Sequence, residues 1–283
     1  MKVIRIIDRL ILLLLLFSLF SCATTGMFSN KELVTIPEVY SEDELMGNFH
    51  GWEKVEEGVA ISSGRLLSQK VQWHCISIDL NTPDLHFTSL PVRGSLGRTF
   101  RLKTFARKNR TIAAINTSPF DLAGKTYIPQ GITKLAGESL TEANPKYCAL
   151  CLKKNEQGFW RAEILPNQTE EALKDFDYAY GGFFSVMQNR EVLTFAKNRR
   201  SRTACGVNDD GSLLYLFVAA PDFYPSDRNG LNYEECALIL RALGCKDAMQ
   251  FDGGHSSGMC LYTKDLEKPV IQRKVPVALG FYK

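Results

Sequence analysis

The sequence predicts an α+β fold: a single domain with a mixed, largely antiparallel β-sheet and a few packed helices. Three observations carry this. Extended apolar runs outnumber helical patterns. Turn signals stand between several of those runs at hairpin distance. No repeat, low-complexity stretch or Pro/Gly/Ser-rich linker divides the region from about Val39 to Lys283. With 283 residues, 45% of them apolar and 23% charged, the chain can bury one substantial core and is neither disordered nor collagenous.

The N-terminus stands apart. Lys2, Arg5 and Arg9 precede an apolar run from Leu10 to Phe20, followed by Ser21-Cys22. The run is too short for a bilayer span, which takes about 20 apolar residues, so residues 1–21 read as a secretory signal peptide. Leu19-Phe20-Ser21-Cys22 resembles the bacterial lipobox. That makes Cys22 the lipidation site, residues 22–47 a tether and residues 48–283 the domain, held at the membrane of the bacterial cell envelope as a lipoprotein. The formal net charge of +3 sits mostly in this leader. The nearly neutral remainder excludes a nucleic-acid footprint.

Along the domain, Val71 to Leu80 and Leu85 to Leu90 flank Asn81-Thr82-Pro83-Asp84 and predict a hairpin. Thr99 to Lys108 predicts a short helix with Thr99 as its N-cap and Phe100, Leu102, Phe105 and Ala106 as its apolar stripe. Thr111 to Ile115 predicts a strand ending at Asn116. Cys205 to Val207 and Leu213 to Val218 flank Asn208-Asp-Asp-Gly211, a hairpin signal because Asp-Gly supplies positive φ. Leu231 to Leu243 is the clearest helix, opened by a capping box of Asn232 and Glu235 and closed by Gly244. Asp247 to Phe251 is a strand that runs into Asp252-Gly253-Gly254.

Seven cysteines follow Cys22. Cys148 and Cys151 lie in an extended run, where an i,i+3 pair points to opposite faces, so they read as buried small hydrophobes rather than a redox or zinc pair. An export-dependent disulfide is the alternative. His50, His74 and His86 have no ligand-like spacing, and no metal or other cofactor is implied.

Phe251 to Met259 concentrates a carboxylate, two glycines, an imidazole and two hydroxyls beyond a strand end. Glycines permit backbone N–H groups to form an anion-binding nest. Gly254-His-Ser-Ser-Gly258 also spells G-x-S-x-G, the serine-hydrolase nucleophile elbow. That reading fails on chain order, because the acid and His should follow the Ser, and no His follows Gly258.

The ordered motifs resemble the phosphodiester glycosidase family. Asp252-Gly-Gly254 is similar to its Asp-Gly-Gly-Gly-Ser-Ser signature, and Ala113-Ala-Ile-Asn-Thr-Ser-Pro-Phe120 stands where the family has Ala-Ile-Asn-Gly-Gly-Phe-Phe. Pro129-Gln-Gly131, Tyr180-Gly-Gly-Phe183 and Arg202-Thr-Ala-Cys-Gly206 follow in order, and the likeness spans about Asn48 to Lys283. Thr117, Ser118, His255 and Gly258 depart from the family spelling. An arginine expected after Ala220 is missing, with Arg228 the nearby cation.

The resemblance implies a hydrolase that cleaves a glycosyl phosphodiester or related glycosidic bond. Asp252 then faces the anomeric carbon as nucleophile or as base for water, with a turn-forming Asp as the purely structural alternative. Arg202 offers its planar fork to phosphate oxygens, and the alternative there is a surface ion pair. Gly253 and Gly254, with Gly181, Gly182, Ser256 and Ser257, complete the phosphate cradle. Asn116 joins Asp252 and His255 as a catalytic candidate: it opens into the same crevice if its strand neighbours that of Asp252, its amide then holding a sugar hydroxyl or phosphate, with a turn residue as the alternative, and His255 adds an imidazole able to protonate a leaving oxygen. The expected partner is a carbohydrate or sugar-phosphate substrate. The alternative from another class is a non-catalytic lipoprotein that binds anionic glycans through the same cleft.

Overall fold

The structure, a computed structural model, describes residues 38–91, 94–195, 197–222, 229–262 and 273–283. The signal peptide, Cys22, most of the tether and Arg228 lie outside the described residues. All the elements below belong to the unit Val39–Lys283.

The largest sheet has eight strands in the order β1 (Trp52–Glu56), β2 (Val59–Leu66), β3 (Val71–Asp79), β16 (Leu213–Pro221), β15 (Arg202–Val207), β17 (Asp247–Gln250), β13 (Ser185–Gln188) and β14 (Glu191–Val192). A five-stranded sheet runs β11 (Trp160–Leu165), β10 (Ala149–Lys154), β12 (Tyr178–Gly181), β8 (Thr133–Leu135) and β9 (Glu138–Ser139). A four-stranded sheet runs β18 (Met259–Leu261), β5 (Ala113–Asn116), β19 (Ala278–Tyr282) and β4 (His86–Thr88). The hairpin β6 (Phe120–Ala123) and β7 (Thr126–Pro129) stands by itself. Among the described residues every strand pairing is antiparallel, as the largely antiparallel expectation requires.

Alternation along the strands divides the interior in two. Cys205, Val207, Leu216 and Val218 of the large sheet meet Ile115, Leu150, Tyr180 and Leu279 of the two smaller sheets in a shared core. Ala204, Phe217 and Ala248 face the other way, against helix α4 (Tyr233–Ala242) and the short helix α1 (Glu42–Met46). Helix α2 (Leu102–Asn109) covers the outer face of the four-stranded sheet with Leu102, Phe105 and Ala106. Helix α3 (Glu170–Leu173) covers the five-stranded one with Leu173.

Local signals hold where the partners are close in sequence. Asn232 and Glu235 form the capping box of α4, and β15 pairs with β16 across the turn at Gly211, whose φ is +69°. Cys148 and Cys151 face different cores, and the seven described cysteines are buried free thiols.

Three expectations are corrected. Val71–Leu80 and Leu85–Leu90 do not form a hairpin, because both edges of β3 are taken by β2 and β16 while β4 crosses to pair with β19. The helix after Thr99 is capped at Arg101 instead, since Phe100 is held extended by its bridge to Val275. The domain begins before residue 48: Ser41 and Glu44 close a capping box on α1, and Tyr40 and Leu45 are buried against the α4 side of the large sheet.

Candidate functional site

Strand β5 ends at Asn116 and β17 at Gln250, in different sheets, and the two C-terminal ends meet. The expected crevice between neighbouring strands of one sheet is therefore a junction between two sheets. The Asp252 N–H donates to the Thr117 carbonyl at 2.8 Å, and Asn116 Nδ2 donates to the Asp252 carbonyl at 2.7 Å. Asn116 Oδ1 accepts from Thr203 Oγ1 and from the Gly258 N–H, both at 2.9 Å. One buried amide thus fastens four segments together, and its oxygen is fully used by the protein.

Thr203 reaches Asn116 because it points into the core between the sheets, so its neighbour Arg202 must point to the helix side. There Arg202 is 3% exposed, which excludes a surface ion pair. Its Nε donates to the Leu231 carbonyl at 2.9 Å and Nη2 to the Asn198 carbonyl at 2.6 Å, while the guanidinium lies 3.9 Å over the Tyr233 ring. The remaining nitrogen, Nη1, faces Gly253: a Cβ there would sit 3.8 Å from it and 3.2 Å from the Ser201 carbonyl.

The glycine turn offers less of an anion nest than expected, because the Gly254 N–H donates to the Ser201 carbonyl at 2.8 Å. Gly254 has φ +59° and opens a one-turn 3-10 helix over Gly254–Ser256. Gly181 and Gly182 likewise donate their N–H groups to the carbonyls of Ile132 and Cys148. What Gly182 permits is close packing: a Cβ there would meet Gln250 O at 2.5 Å and Met249 Cε at 2.3 Å. These glycines shape the junction, and the N–H groups of Gly181, Gly182 and Gly254 are already committed to protein acceptors.

Asp252 is partly buried, and desolvation raises its carboxyl above the ordinary range. The Ser256 hydroxyl, the charge of Arg273 and the Gly253 N–H each pull it back down. His255 is exposed on the 3-10 turn, and Ser256 and Ser257 are buried beneath it. The hydroxyls of Thr117, Ser118, Ser201 and Ser257 are buried with no hydrogen-bond partner among the described residues, so polar groups are concentrated at this junction. The described residues include no group of three His, Cys, Asp or Glu side chains disposed for a metal.

Sequence reasoning does not find Arg273, Thr203 or Ser201. Arg273 lies far beyond the glycine motif, and only the pairing of β19 with β5 brings its segment back: Ala278 stands opposite Asn116. The Arg-Thr-Ala run did contain Thr203, whose hydroxyl is placed by strand alternation.

The fold recurs in solved structures. A hypothetical protein from Synechocystis superposes with a TM-score of 0.62 at 15% identity, over 80% of this chain and 62% of that one, so the chain spans less than two thirds of that protein. The zebrafish N-acetylglucosamine-1-phosphodiester alpha-N-acetylglucosaminidase catalytic domain, auto-inhibited by its pro-peptide, gives 0.60 at 15% identity over 80% and 82%. A putative exported protein from Burkholderia pseudomallei gives 0.55 at 13% identity over 75% and 74%. No curated protein sequence matches the chain significantly. The phosphodiester glycosidase family model matches residues 109–282, more than half of the chain, from the last residue of α2 through the Asp252 turn to β19. This chain belongs to the phosphodiester glycosidase family.

Proposed function

We propose that the protein hydrolyses a glycosyl phosphodiester, with Asp252 as the group that faces the anomeric carbon. The observation that carries this is the convergence of Asn116, Arg202 and Asp252 at one junction. Family membership supports a glycosidase-type hydrolase. In the reaction the C1–O bond breaks, its electron pair leaves with the phosphomonoester, and water supplies the new sugar hydroxyl. The leaving group is stable as an anion and needs little protonation, so charge compensation matters more than a strong general acid.

Asp252 suits this work because its backbone is fixed by Asn116 and Thr117 while its carboxyl stays only partly buried. As an anion it stabilises or captures the oxocarbenium-like centre, or it takes a proton from water. In this reading Asn116 is a positioning residue that fixes the Asp252 backbone. In this reading His255, exposed on the one-turn helix after Gly253, assists by protonating the departing oxygen. The Cys22 lipobox supports an anchored envelope location.

The test is incubation of the mature domain with a panel of glycosyl phosphodiesters, following release of free sugar beside an Asp252→Asn control. Turnover by the parent alone supports the reading. Saturable binding without turnover selects the non-catalytic glycan-binding alternative, which the departures from the family spelling at Thr117 and Ser118 favour.

A further inference from the structure

We infer that Arg273 is the residue that grips the phosphate of the substrate, and that Arg202 is a positioning residue that holds the Gly253 turn from beneath. The inference rests on the functional reading above and adds a residue to it. Arg202 has two of its three nitrogens bonded to backbone carbonyls and one face covered by Tyr233, and it is 3% exposed. The Gly254 N–H is bonded to the Ser201 carbonyl, and the Gly253 N–H already helps to stabilise the Asp252 carboxylate. An anion arriving at Asp252 therefore needs another donor.

Arg273 meets the requirement. Its side chain is exposed, with the guanidinium 5.0 Å over the Phe120 ring, and its charge acts on the Asp252 carboxyl. It has no hydrogen-bond or ion-pair partner among the described residues. Stacking on an aromatic face orients the guanidinium while leaving its in-plane N–H groups available, the geometry that suits two parallel bonds to phosphate oxygens. The platform is itself braced. Phe120 packs edge-on against Tyr127 at 5.8 Å across the β6–β7 hairpin, which leaves the junction directly after Ser118-Pro119. The backbone of Arg273 is tied down two residues later, where Val275 exchanges two 2.9 Å hydrogen bonds with Phe100.

The test uses the whole mature chain and two ligands measured by calorimetry: inorganic phosphate and an uncharged methyl glycoside. The parent is expected to bind phosphate, more weakly as salt is raised. Arg273→Ala should weaken phosphate binding about 10-fold or more, as expected for lost hydrogen bonds to a charged group, without altering glycoside binding or Tm. Arg273→Lys should fall between the two, because an ammonium supplies charge without the fork, and Phe120→Leu should weaken phosphate binding several-fold. Unchanged phosphate affinity in Arg273→Ala overturns the inference while leaving the phosphodiester reading intact. A parent that neither binds phosphate nor releases sugar from any phosphodiester overturns both.

Discussion

Asn116→Ala is the most searching perturbation of this site, because the side chain it removes touches no proposed reacting atom. The substitution leaves the Gly258 N–H and the Asp252 carbonyl without their partner, while the Thr203 hydroxyl can rotate. Each buried unmatched polar group costs about 1–3 kcal/mol, so the loss is about 2–6 kcal/mol. In a domain of this size one kcal/mol moves Tm by about 2–4 °C, so thermal unfolding followed by circular dichroism should shift down by about 4 °C at the least. Asn116→Asp is the companion. Below about pH 4 its neutral carboxylic acid reproduces one donor and one acceptor, and Tm should lie near the parent. At pH 7 it can donate nothing to the Asp252 carbonyl, and Tm should fall toward that of the Ala variant or below it. A shift under about 2 °C for Asn116→Ala would refute the reasoning that this amide fastens the two sheets.

Other outcomes follow from the same geometry. In the folded protein burial holds the Asp252 proton more tightly than in the unfolded chain, so stability is lost as pH rises from the ordinary carboxyl range through the folded one. Asp252→Asn should therefore gain stability relative to the parent at pH 7 but not at pH 4, by about 1.4 kcal/mol per unit of upward shift; equal differences at the two pH values would contradict this. Gly182→Ala should cost about 1–3 kcal/mol in urea unfolding, because Gln250 O belongs to the backbone and cannot step aside as a side chain could. The seven described cysteines are buried, with desolvation pushing Cys236 and Cys260 up to about 12 and the other five well up too. A thiol reagent at pH 8 should label them only when the protein unfolds, and rapid labelling of the native domain would argue against these positions.

Much of the architecture was legible because it is written locally. The Asn232–Glu235 box and the Asp210-Gly211 turn act over three or four residues, and strand alternation put Cys148 and Cys151 on opposite faces without any knowledge of the fold. What failed depended on distant partners. The Val71–Leu90 hairpin was plausible until both edges of β3 were filled by chain arriving from elsewhere. The site shows the same divide. Asn116, Arg202 and Asp252 were found by spelling. The use of the Gly254 donor could not be read, because its acceptor is set by three-dimensional approach, and Arg273 carries no local mark at all.

The Asn116 clasp also has a kinetic corollary. Its bonds bridge 136 residues to Asp252 and 87 to Thr203, so it closes only after both sheets have formed and docked. Non-local closures of this kind are slow. During refolding from denaturant, strand signal should return first and competence of the junction last, with a lag that measures the final seating of one sheet upon the other.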